Sequence, residues 1–129
     1  MRTVLACVGS ALLLLQVAAP VEAADASGSW ALEFQRDAYG ALYVADCVWE
    51  QEGSRLAGSC TSGFESIVTV RGSVQETAVT FQFRTGTESG TVMSFSGRLN
   101  EQASSMSGTW RFVDDDGTTG GGTFTATKR

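Results

Sequence analysis

The chain contains no histidine, and that absence removes the usual zinc sites and the Ser-His and Cys-His nucleophilic centres. Proline occurs once, and cysteine only at positions 7, 47 and 60. With nine basic against fourteen acidic residues the net charge is −5, which opposes the phosphate backbone of nucleic acids and anionic membrane surfaces. Length excludes more: 129 residues support one domain, with no room for a doubly wound nucleotide fold or a (β/α)₈ barrel. No glycine-rich loop joins a strand to a helix, so no phosphate cradle and no cofactor is expected.

Arg2 supplies a positive start, Val4 to Leu15 an apolar run, and Val21-Glu22-Ala23 an end with small residues at both required positions. These are the three parts of a secretory signal peptide, with cleavage expected after Ala23 or Ala24. A membrane anchor needs roughly 20 unbroken apolar residues, whereas this run is interrupted at Gln16 and Pro20. Cys7 precedes the centre of the apolar run, where a lipidated cysteine would follow it. The expected organisation is therefore a leader over 1–23 and one exported domain over 24–129, periplasmic or secreted, with no membrane insertion once the leader is removed. That domain holds two cysteines, Cys47 and Cys60, and an even count in a small exported domain reads as a disulfide.

From Gly28 onward apolar residues recur at every second position, as in Trp30, Leu32, Phe34 and again Val79, Phe81, Phe83. Helices would group them at three and four, so this period is that of strands. Polar residues fill the intervening positions, such as Thr80, Gln82, Arg84, which gives one buried and one wet face and hence an antiparallel sheet. Turn signals at Glu52-Gly53-Ser54, Gln75-Glu76-Thr77, 86–90, 100–104 and 114–117 divide the chain into about eight strands. They are expected near 28–34, 42–51, 55–61, 66–74, 79–85, 91–99, 105–113 and 121–128. Gly58, Gly72, Gly97 and Gly108 each fall at an inward position of a strand. Glycine there permits the bending that closing a sheet requires, so an eight-stranded up-and-down barrel is favoured over a two-sheet sandwich.

The cysteines test the register. If the second and third strands pair across Glu52 to Arg55, then Gln51 faces Leu56, Trp49 faces Gly58, and Cys47 faces Cys60. One register thus places an indole over a glycine and the two thiols opposite each other, within reach of a bridge.

The opening Gly28-Ser29-Trp30 together with the closing Lys128-Arg129 resembles the calycin pattern shared by lipocalins and avidins. In that pattern a G-x-W on the first strand closes the barrel floor and a basic side chain of the last strand lies across the indole. The resemblance implies that Trp30 and Lys128 are structural partners, and Lys128, which shares the parity of Phe124 and Ala126, is expected to point inward towards Trp30. The strands are shorter than those of lipocalins, and no complete set of biotin ligands of the avidin kind aligns. The chain also resembles small exported inhibitors of bacterial metalloproteases, although their inhibiting N-terminal trunk is not recognisable in the short stretch from Ala24 to Ser27.

In an eight-stranded meander alternate connections lie at opposite ends. Compact hairpins fall beside the floor, and the longer glycine-rich connections, 35–41, 62–65, 86–90 and 114–121, form the mouth. The candidate ligand-binding residues are Tyr39 and Phe64 on these loops, with Phe34, Tyr43, Phe83, Met93 and Phe112 just inside. This lining suits a small hydrophobic ligand, while the alternative is that the same residues fill a solid interior. A protein partner held by the same loops is the second functional expectation. Asp114-Asp115-Asp116-Gly117 lacks the alternate spacing and distal glutamate of a calcium loop and reads as a solvated turn, so no metal is expected. Glu65 and Glu88 have no fixed separation, and no catalytic constellation is evident.

Overall fold

The computed structural model describes residues 23–37, 40–62, 68–84 and 90–129. They form eight strands, β1 (Gly28–Arg36), β2 (Leu42–Glu52), β3 (Arg55–Ser62), β4 (Val68–Gln75), β5 (Ala78–Arg84), β6 (Val92–Leu99), β7 (Ser105–Val113) and β8 (Thr119–Lys128). Every strand pairs antiparallel with its neighbours in sequence, and β8 returns to β1, so the sheet is a closed barrel. The leader expected over 1–23 lies outside the described residues except for Ala23.

The two-residue period explains both faces. In β5, for example, Val79, Phe81 and Phe83 are buried while Thr80, Gln82 and Arg84 are exposed. The predicted register between β2 and β3 is the observed one: Gln51 faces Leu56, Trp49 faces Gly58 and Cys47 faces Cys60, which are joined by a disulfide. The inward glycines admit close approach of neighbouring strands. At Gly58 a Cβ would stand 2.0 Å from the Val48 carbonyl oxygen and 2.9 Å from Trp49 Cα.

β8 starts two residues earlier than the sequence indicates, at Thr119, so Thr119 and Gly120 belong to the strand together with Gly121 and Gly122. The physical reason lies on β7. The Phe112 ring lies over Gly120, where a Cβ would meet Phe112 Cε1 at 2.4 Å. Trp110, paired with Gly122, extends its indole N–H to the Gln35 carbonyl at 3.0 Å.

Residues 24–27 cross the lower end and close it. The Ala24 amide donates to the Glu76 carbonyl (2.9 Å), and the Gln51 side chain accepts from the Ala26 amide (2.7 Å) while donating to the Ala24 carbonyl (2.8 Å). Trp30 completes the floor by donating its indole N–H to the Ala26 carbonyl at 2.9 Å. The Lys128 ammonium stands 5.7 Å from the centre of the Trp30 ring, within cation-π range. Its stem runs against Gly28, whose φ of +130° and missing Cβ leave that path open: a Cβ there would lie 2.9 Å from Lys128 Cε. The glycine, the indole and the terminal lysine thus form one packing unit.

Candidate functional site

Strand order places the connections after β1, β3, β5 and β7 at the end opposite the floor. Five of the sequence-predicted site residues gather there because register aligns them. Phe34 pairs with Tyr43 across β1 and β2, and Phe83, Met93 and Phe112 form one row across β5, β6 and β7. Tyr39 and Phe64 lie outside the described residues, as do Glu65 and Glu88.

Phe34, Phe83 and Phe112 are packed as core, with only 5–7% of their surface exposed. Phe34 stacks on Tyr43 with ring centres 5.3 Å apart and meets Phe95 and Trp110 edge-on at 5.4 and 5.0 Å. Below them, Phe95 stacks on Phe81 at 4.6 Å, and Trp49 and Trp30 continue the contacts to the floor. Aromatic side chains therefore fill the barrel axis over much of its length, in offset and edge-on geometries that complement ring quadrupoles. Tyr43 and Met93 are only half-buried, so among the described candidate residues they are the ones that offer apolar surface at the mouth, resting on an aromatic bed.

Sequence reasoning missed Arg36. Its guanidinium lies 4.6 Å over the Phe112 ring at the mouth. The available signal was parity, since Arg36 continues the inward series Trp30, Leu32, Phe34. Among the described residues no polar or charged residue is buried, and the described part of the mouth presents apolar surface with the Arg36 guanidinium beside it.

The three aspartates after β7 build a turn. The Asp114 amide donates to the Thr118 carbonyl at 2.8 Å, and the Asp114 carboxylate accepts from the Thr91 hydroxyl. The Thr118 N–H donates to the Asp116 carboxylate at 2.9 Å and holds its carboxyl below the ordinary aspartate range. Among the described residues no group of three or more acidic, cysteine or histidine side chains is placed to hold a metal ion.

No family model matches this chain, and no curated protein matches it.

Proposed function

We propose that the protein is an exported, non-catalytic, lipocalin-like barrel that binds a small hydrophobic molecule at its wide end. The observation that supports this reading is the half-buried pair Tyr43 and Met93 at the mouth, backed by the buried rings of Phe34, Phe83 and Phe112. With the axis filled by aromatics, the ligand is held shallowly, against the rim. Arg36 adds a cation beside it. Export rests on the leader pattern and on a disulfide, which persists in oxidising compartments.

Native mass spectrometry and thermal shift against a panel of hydrophobic small molecules test the reading. A saturable complex that Tyr43→Ser and Met93→Ser each weaken, with melting of the free protein nearly unchanged, is the expected result. A panel without binders, or binding untouched by both substitutions, rejects it.

A protein-binding module, such as a secreted protease inhibitor, is favoured by one feature beside the mouth. Leu42 and Val44 point outward from β2 with 61% and 57% of their surface exposed. Inhibition of a secreted protease that Leu42→Asp and Val44→Asp abolish would establish this second reading instead.

A further inference from the structure

The outward charges of the strands are segregated. Glu33 on β1 and Asp46, Glu50 and Glu52 on β2 are exposed acids, whereas Arg55, Arg71, Arg84, Arg98 and Arg111 occupy the outer faces of β3 to β7 in turn. An acidic protein thus presents a basic face on the side of the barrel away from β1 and β2.

That face contains a groove of about 580 Å³ running across β4, β5, β6 and β7. Register orders its lining. One row across the strands reads Arg71, Gln82, Ser94, Arg111, and the next reads Ser73, Thr80, Ser96, Thr109. Short hydroxyl side chains make the floor, and Arg71 and Arg111 stand at its two ends, about 14 Å apart by three strand spacings. Arg84 lies on the mouth side of these rows and Arg98 on the floor side. Arg129 with Asp46 is the only ion pair among the described residues, so neither Arg71 nor Arg111 is neutralised by a described acid.

We propose that this groove binds a segment of a linear acidic polysaccharide. The guanidinium groups suit carboxylate or sulfate groups, which they grip through paired N–H donors. Between them, Gln82 and the serine and threonine hydroxyls match the alternating donors and acceptors of sugar hydroxyls. An acidic peptide fits less well, because a closed barrel has no free strand edge to pair with its backbone. The groove lies on the outer face and makes no use of the mouth.

The test is binding of a short polyuronate oligosaccharide of defined length to the full folded chain, followed by calorimetry. A neutral glucan of equal length and a poly-glutamate peptide serve as comparisons. The polyuronate should bind, the neutral glucan should not, and Arg71→Gln with Arg111→Gln should weaken the affinity at least tenfold while leaving the melting temperature unchanged. Raising salt from about 0.01 M to about 1 M, which shortens the screening length from about 30 Å to about 3 Å, should abolish the complex. Failure of the polyuronate to bind at low salt, retention of binding by the double variant, or equal or tighter binding of poly-glutamate would each overturn the proposal.

Discussion

At the scale of single residues, the barrel depends on places where a side chain is missing. A methyl group at Gly58 would meet backbone atoms of β2, which cannot swing aside as a flexible side chain does. Gly58→Ala should therefore cost about 3 kcal/mol, the upper part of the usual range for overpacking. Gly53, at the tip of the hairpin joining β2 to β3, has open space around it and a φ of +59°. There the same substitution carries only the left-handed backbone penalty, about 1 kcal/mol. Urea unfolding of the two variants measures both, and equal losses would remove the close-approach account.

The two indoles of the floor make a second contrast. Trp30 donates to the Ala26 carbonyl, while the indole nitrogen of Trp49 is buried without a hydrogen-bond partner. Replacing either by Phe removes comparable volume, but only Trp30→Phe leaves a carbonyl unsatisfied. Its loss of stability should exceed that of Trp49→Phe by about 1 to 2 kcal/mol. Equal midpoints in denaturant would mean that the Ala26 bond does not hold the floor.

Among the elements, the floor segment and the last strand carry the closure. Asp25 accepts the Ser27 amide at 2.9 Å, and this bond, with the Ser27 hydroxyl second, holds its carboxyl below the ordinary value of 3.8. A carboxyl lowered on folding adds stability above the unfolded value and loses it as pH falls through the lowered folded value. The difference in stability between wild type and Asp25→Asn should therefore be present near neutrality and shrink progressively below pH 3.8. A difference independent of pH would show that the carboxylate is not what secures the segment.

Chain ends usually fray, but the last two residues are tied down. The Lys128 amide donates to the Ser104 carbonyl and the Arg129 amide to the Ser29 carbonyl, both at 2.8 Å. The Arg129–Asp46 ion pair is exposed and contributes little. Deleting Lys128 and Arg129 should lower stability by about 1 to 2 kcal/mol through the lost backbone bonds and the lost cation over the indole. In a double-mutant cycle with Trp30→Phe the two effects should be non-additive. A silent truncation would contradict the packing unit of Gly28, Trp30 and Lys128.

For the whole molecule, one covalent bridge supplements a small core. Cys47 and Cys60 are 13 residues apart and join adjacent strands, so loop-closure entropy sets the contribution at about 3 kcal/mol. Adding reductant should lower the urea midpoint by the equivalent amount. The Cys47→Ser, Cys60→Ser double variant should then be insensitive to reductant. A reduced protein as stable as the oxidised one would place the unfolded-state constraint elsewhere.

Much of this architecture was legible along the chain. Apolar residues at every second position defined the strands to within about two residues at most ends, because side-chain alternation is a local property of extended backbone. The β2–β3 register was equally legible, since a short hairpin leaves few pairings and only one set Cys47 against Cys60 and Trp49 against Gly58. The inward direction of Lys128 followed from parity within β8.

Closure decided the rest. Gly120 resembles part of a loop until the Phe112 ring is seen lying over it, and that neighbour relation exists only once β7 and β8 pair. Residues 24–27 have no period of their own, and their place under the barrel depends on Gln51 and Glu76 from two separate hairpins. Arg36 acquires its position over Phe112 only when β1 meets β8. Strand period, facing and the β2–β3 register are set within a few residues by backbone geometry, so the order of amino acids alone encodes them. Which side chains share the floor, the mouth and the arginine-bordered groove is settled on folding, because closing the sheet brings together residues whose separation along the chain no local pattern encodes.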